Sequence, residues 1–349
     1  MTREEGISGP STGDRKSEHV RLCLEEEVAG VGVTTGFERY VFRHNALPEL
    51  NFDDIDLSAE FVGRALQAPL LISSMTGGSA GTGRINERLA EAAQLRGWAM
   101  GLGSVRAAVE REDLAETFKV RHKAPDIPVI ANLGAVQLNY GFGTDECRRA
   151  VEIAEADALV LHLNSLQEVF QPEGNMNFAD LLPKIKRLCL ELGVPVGIKE
   201  VGWGIDGETA LRLAEAGIAF IDAAGAGGTS WSQVEKFRSS DLMRRTAAEA
   251  FASWGTGTAD CITEIRAALP DLPLIGSGGL KNGVDAAKAI ALGANLAGVG
   301  RALLGPAVDS VERAAAAMEQ TEFELRTVMF GIGAANITQL RETKRLLHK

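Results

Sequence analysis

A (β/α)8 barrel is the fold this sequence predicts, and three observations predict it. Eight short apolar runs recur along the chain, at 69–75, 98–103, 128–133, 158–164, 195–200, 220–224, 273–277 and 296–300. Helical patterns separate most of them, for instance at 84–96, 144–155, 179–192, 207–216 and 286–291, and such alternation implies parallel strands joined by crossover helices. The runs also end in polar or glycine-rich residues, at the strand ends where barrel enzymes keep their chemistry. The 349 residues accommodate one barrel of about 250 residues with additions, and no second domain is apparent.

The elements follow in order. Residues 1–14 are polar and rich in Gly, Ser and Thr, with no apolar signal core, and read as a flexible tail. A barrel domain then occupies 15–349, including an N-terminal extension over 15–66. The stretch 15–27 opens with concentrated charge and continues as a helix, with Arg15, Lys16 and His19 on one face; a solvated helix start is the alternative reading. Residues 37–66 lack a clear period and are expected to cover part of the barrel, with His44 a packed or loop histidine rather than a ligand. After the sixth strand an insertion over 225–255 carries a glycine-rich loop and one extra helix around 242–254.

The strand ends supply the candidate site: Ser74, Met75 and Thr76, then Ser104 and Arg106, Asn132, His162 and Asn164, Lys199, Thr229, Gly278 and Gly279, and Gly300 and Arg301. The last two βα steps, at 275–280 and 299–304, break at glycines. Either break alone reads equally as an ordinary turn. Two in succession favour a phosphate site, because glycines let the backbone approach a ligand and helix N-termini attract anions. Lys199 can stabilise negative charge on a bound ring, or pair with Glu200 or another carboxylate. With the donors of Asn132 and Ser104, these groups suit a planar, heteroatom-rich cofactor with a phosphate tail, such as flavin mononucleotide (FMN). Residues 162–168 pack His162, Asn164, Gln167 and Glu168 together, and Glu168 is a hard oxygen donor suited to Mg2+.

Composition excludes several classes. The 36 basic and 47 acidic side chains give a formal charge of −11, which argues against a general nucleic-acid binder and requires a local basic cluster for any anionic substrate. Cys23, Cys147, Cys189 and Cys261 lie far apart, suggesting neither a zinc site nor a disulfide framework and fitting a reducing cytoplasm. No apolar run reaches the length of a membrane span.

The motifs Arg15-Lys-x-x-His19, His44-Asn-Ala-Leu-Pro48, Met75-Thr-Gly-Gly78, Gly103-Ser-x-Arg106, His162-Leu-Asn-x-x-Gln-Glu168, Gln171-Pro-Glu-Gly174, Gly227-Gly-Thr-Ser-Trp231 and Ser277-Gly-Gly279 resemble those of type 2 isopentenyl-diphosphate isomerases, over the chain from about Arg15 onward. The resemblance implies an FMN-dependent enzyme that interconverts isopentenyl and dimethylallyl diphosphate. It implies that NADPH or NADH reduces FMN, that the reduced ring serves as acid and base, and that Mg2+ helps to hold the diphosphate. By the same resemblance Arg15, Lys16, His19, Ser104, Arg106, Asn164 and Gln167 meet the substrate. Gln167, His162 and Lys199 serve catalysis, and Glu168 holds the metal. Ser74, Met75, Thr76, Ser104, Asn132, Lys199, Thr229, Gly278, Gly279, Gly300 and Arg301 meet the flavin. A cytoplasmic homo-oligomer, tetramer or octamer, is also implied. The chain departs from the family pattern at Val105, Ala224 and Asn175, and Ala224 removes a side-chain hydrogen bond to the flavin.

Other readings stay open from the residues alone. A flavin-dependent 2-hydroxy-acid oxidase shares the glycine layout at the last two strands, but it requires a His-Gly-Gly-Arg motif where this chain has Gly225-Ala-Gly-Gly-Thr-Ser230. A barrel nucleotide dehydrogenase requires a nucleophilic cysteine in a strand-end loop, which none of the four cysteines supplies. A non-enzymatic phosphate-ligand barrel is the third alternative.

Overall fold

The computed structural model describes residues 12–349. Twelve strands occur among these residues: β1 (Tyr40–Phe42), β2 (Ala59–Phe61), β3 (Arg64–Leu66), β4 (Leu70–Ile72), β5 (Ala99–Gly101), β6 (Val129–Gly134), β7 (Ala158–His162), β8 (Val196–Lys199), β9 (Phe220–Asp222), β10 (Leu274–Ser277), β11 (Leu296–Val299) and β12 (Leu346–His348). β4 to β11 form a closed parallel barrel in sequence order, one in each of the eight predicted runs, with β6 reaching one residue further, to Gly134. The barrel closes where β11 pairs with β4, Ala297 against Leu70 and Val299 against Ile72.

Strand alternation divides the apolar side chains into two cores. Leu70 and Ile72 of β4 face outward into the layer between strands and helices, together with Met100, Leu159, Leu161 and Ile198. Leu71 faces inward with Ile130, Val160, Phe220 and Ile275. The hairpin β2–β3 plugs that interior: Phe61 and Leu66 join the inward cluster, and the Phe61 and Phe220 rings meet edge to face at 5.2 Å. Gly197 in β8 leaves the room that the Phe220 ring fills. The expected cover over 37–66 is thus partly this hairpin. With one end of the barrel filled, the other is left as the mouth.

Several expectations need correction. The tail expected over 1–14 lies largely outside the described residues, but helix Thr12–Glu25 begins three residues before the predicted start. The insertion after β9 holds two helices, Trp231–Arg238 and Leu242–Ala250, where one was expected around 242–254. The first escaped notice because its buried face carries Ser232, Gln233 and Glu235 beside Val234, so it shows no apolar period. β1 and β12, three residues each, pair antiparallel with Tyr40 opposite His348. Both are too short to show a two-residue alternation. His44 lies exposed in the loop after β1, outside the mouth, as expected of a loop histidine.

Candidate active site

The mouth of the barrel opens into a cavity of about 680 Å3 whose walls include every one of the site residues predicted from sequence. Helix Thr12–Glu25 forms one wall. Its Lys16 is buried, donates from Nζ to the Ser104 carbonyl at 2.9 Å, and sits 5.6 Å from the centre of the Phe118 ring. Burial, then the neighbouring Arg15, pulls the Lys16 pKa down to about 7. Arg15 reaches Glu173 at 3.4 Å. The charged helix start is therefore turned into the site rather than solvated.

Across from the glycine loops, β5 to β7 supply polar groups. Arg106 opens the short helix Arg106–Glu110 and donates to Asn175 Oδ1 at 3.2 Å. Gln137 Nε2 donates to the same oxygen at 3.1 Å, so Asn175 has a defined place despite departing from the family pattern. Glu168 stands beside this pair on helix Ser165–Phe170. Its Oε1 accepts from Asn164 Nδ2 at 2.8 Å and its Oε2 from the Asn175 backbone N–H at 2.5 Å. Only glycine fits at 174, because a side chain there would meet the Glu168 carbonyl. Asn164 Oδ1 is buried without a partner. A lone carboxylate and a free amide oxygen suit a hard cation that takes further oxygens from water and substrate. Among the described residues no three His, Cys, Asp or Glu side chains gather as a metal cage.

Gln167 points the other way, donating to Glu235 Oε1 at 3.2 Å, and His19 Nε2 lies 3.1 Å from the same oxygen. Arg238 donates to Glu235 Oε2 at 2.6 Å. Burial pushes the Glu235 carboxyl upward, but His19 and Arg238 outweigh it and hold it below the usual range. Sequence reasoning missed Glu235 and Gln137, and gave Glu173 no role of its own although it lies within Gln171-Pro-Glu-Gly174. Glu235 lies on the helix that went unrecognised, and Gln137 sits in the short turn Ala135–Asn139, with no apolar period.

His162 ends β7 with Nδ1 2.7 Å from Asn132 Oδ1. That oxygen only accepts, so Nδ1 carries the proton and Nε2 is left as an acceptor. Burial, then the charges of Lys199, Lys16 and Arg15, lowers the His162 pKa to about 3. The imidazole is therefore neutral near pH 7 and is not an acid there. The unfolded chain binds this proton below its ordinary value of about 6.5. Stability is thus unaffected by the group above about pH 6.5 and falls as pH drops from there towards 3. His162→Gln should flatten the dependence of the thermal midpoint on pH between 4 and 6.5; an unchanged slope would contradict the buried neutral state.

Lys199 ends β8, buried, and donates to the Glu200 carbonyl at 2.5 Å. The alternative of an ion pair with the Glu200 side chain is not what forms: that carboxylate accepts backbone N–H groups instead. Burial pushes the Glu200 carboxyl above its usual value, opposed by N–H donors of Trp203, Val201 and Gly202 and by Lys199. Asp222 lies beside Lys199 in the β8–β9 register and accepts from Ser277 Oγ at 2.5 Å; burial raises its pKa.

The loops after β9, β10 and β11 form a glycine cradle. A Cβ on Gly228 would lie 2.7 Å from Gly279 Cα, and one on Gly279 would lie 2.6 Å from the Gly227 carbonyl carbon. Gly278 and Gly279 have φ of 110° and 75°, which disfavour any side chain. The loops therefore touch backbone to backbone, and helix Arg301–Asp309 presents its N-terminal N–H groups beside them. Ser73 Oγ and Thr76 Oγ1, at the end of β4, are buried without partners. Ser74, Met75, Thr229 and Gly300 complete this side, and Ala224 adds a methyl group with φ of 39°. Peptide N–H groups, orphaned hydroxyls, Asn132 and Lys199 fit a flavin phosphate and ring. Arg301 lines the same cavity, and its guanidinium donates to Cys23 O at 2.9 Å and Glu26 O at 3.2 Å, tying down the end of helix Thr12–Glu25.

The FMN-dependent dehydrogenase family matches residues 150–347. The chain is 54% identical over 343 residues to the isopentenyl-diphosphate delta-isomerase of Oceanobacillus iheyensis, covering 98% of this chain and 97% of that protein. It is 53% identical over 349 residues to the isopentenyl-diphosphate delta-isomerase of Nostoc sp., covering 97% and 99%. Among solved structures, a flavocytochrome b2 with pyruvate bound superposes with a TM-score of 0.69 at 18% identity, covering 94% of this chain and 82% of that one. A mandelate oxidase with an FMN adduct superposes at 0.64 and 19%, covering 95% of each. At such low identity these two show the fold alone.

Proposed function

The chain belongs to the isopentenyl-diphosphate delta-isomerases, in their FMN-dependent form, and from that premise we propose that its barrel mouth moves the double bond of isopentenyl diphosphate to give dimethylallyl diphosphate, with Mg2+ and NAD(P)H as further requirements. One observation carries the reading. A glycine cradle from β9 to β11 faces, across a single cavity, a cationic and carboxylate cluster from β5 to β7.

Arg15, Lys16 and Arg106 bind the diphosphate, with His19 and Ser104 beside them. Glu168 and the free Asn164 Oδ1 would hold Mg2+. Gln167, fixed by Glu235, orients the alkene end and keeps water from it. His162 Nε2 serves catalysis as a hydrogen-bond acceptor, not a proton source. Ser74, Met75, Thr76, Asn132, Thr229, Gly278, Gly279 and Gly300 would hold FMN, and Lys199 would supply positive charge to it. Arg301 contributes its N-terminal N–H while its guanidinium braces the neighbouring helix. When bound, reduced FMN would supply the acid and base. The same reading carries a homo-oligomer, tetramer or octamer, in a reducing cytoplasm. The four cysteines are free and no helix among the described residues is long and apolar enough to cross a membrane.

The test is an anaerobic incubation of isopentenyl diphosphate with protein, FMN, Mg2+ and NADPH, following the double bond by NMR. Dimethylallyl diphosphate is the expected product, and 5-deazaFMN, with carbon at position 5, should abolish turnover. Oxidation of lactate or mandelate in place of isomerisation would overturn the proposal. Within it, Arg15→Ala should raise KM about tenfold with a smaller change in kcat, since Arg15 binds a part of the substrate remote from the chemistry. Steady-state kinetics decide this, an unchanged KM being the contrary result.

A further inference from the structure

The Glu200 carboxylate turns back on its own chain. Its Oε2 accepts the backbone N–H groups of Val201, Gly202, Trp203 and Gly204 at 2.7, 2.8, 2.6 and 3.2 Å. Successive N–H groups converging on one charged oxygen form an anion nest, here filled by the protein's own side chain. The turn so fixed bears on two parts of the site. Its first residue presents the carbonyl that receives Lys199 Nζ. Its middle packs against the loop after β9: a Cβ on Gly202 would lie 2.8 Å from the Thr229 carbonyl, and the Trp203 carbonyl accepts from Thr256 at 2.9 Å.

We propose that Glu200 is a positioning residue for the reaction: its carboxylate holds the 201–204 turn, the turn holds the Glu200 carbonyl, and that carbonyl sets where the Lys199 ammonium stands relative to the flavin ring. The inference rests on the cofactor reading above. A carboxylate is required because a neutral amide oxygen binds four donors more weakly, and the nitrogen of a glutamine brings N–H groups into a pocket already crowded with them.

Glu200→Gln, Glu200→Asp and Lys199→Met, and Glu200→Gln combined with Lys199→Met, test it. Two quantities are read: the FMN dissociation constant by fluorescence titration, and the pH at which the absorbance of bound reduced flavin passes from the neutral to the anionic form. A purely structural loss does not move the second quantity through Lys199. Glu200→Gln should weaken FMN about tenfold and raise that pH, and Glu200→Asp, which keeps the charge, should recover part of both. In the Lys199→Met background Glu200→Gln should add no further rise. Glu200→Asp carries the same comparison with the unaltered protein if the glutamine variant does not fold. An unmoved transition, or an equal rise with Lys199 absent, overturns the positioning role while FMN binding by the unaltered chain leaves the cofactor reading standing. Failure of the unaltered chain to bind FMN overturns both.

Discussion

Replacing Glu168 by Gln is expected to lower kcat/KM about 1,000-fold, roughly 4 kcal/mol of transition-state stabilisation, while leaving FMN bound. Both Glu168 oxygens face donors, Asn164 Nδ2 on one side and the Asn175 N–H on the other. A carboxamide can accept from only one of them, and in either orientation its NH2 opposes a donor. The charge that would hold Mg2+ goes as well, leaving Asn164 Oδ1 as the remaining free oxygen donor nearby. Titrating Mg2+ against initial rate checks the outcome. A variant with the parent's Mg2+ dependence would show that Glu168 only braces the loop at Asn175.

Gly278→Ala should weaken FMN binding at least about 100-fold and lower the thermal midpoint, at a cost on the order of 3 kcal/mol. The residue has φ of 110°, and the added methyl would run into the Gly225 backbone, with Thr258 Oγ1 2.7 Å away. Backbone cannot rotate aside as a side chain can, so the loops after β9 and β10 must part. That separation opens the cradle proposed for the phosphate. Flavin fluorescence titration and a melting curve measure the two effects. Parental FMN affinity in the variant would place the phosphate elsewhere.

Much of this was legible in the sequence because barrel strands are short apolar runs buried on both faces, and because their polar ends stand out against them. Ser104, Asn132, His162 and Lys199 could be found by position alone. Other features carried no periodic signal. β1 and β12 are too brief to alternate, and helix Trp231–Arg238 buries Ser232, Gln233 and Glu235, so it reads as loop. Its Glu235, which ties Gln167 to His19, was lost with it. Direction was also hidden: sequence places Arg301 at the end of β11, but not that its guanidinium donates to the carbonyls of Cys23 and Glu26. Sequence shows which groups a strand end offers, but not what another part of the chain has already claimed.

The ladder between β1 and β12 joins segments near opposite ends of the described chain. During synthesis Tyr40–Phe42 leaves the ribosome well before its partner, Leu346–His348, is made. At about 5–20 residues per second, that early segment waits on the order of tens of seconds for its pairing. Helix Thr12–Glu25 waits too, because Arg301, which braces its end, and Glu235, which receives its His19, are translated long after it. Contacts this distant in sequence slow folding, since the loop must close before any of them forms. The wall formed by helix Thr12–Glu25 is thus translated well before the contacts that hold it.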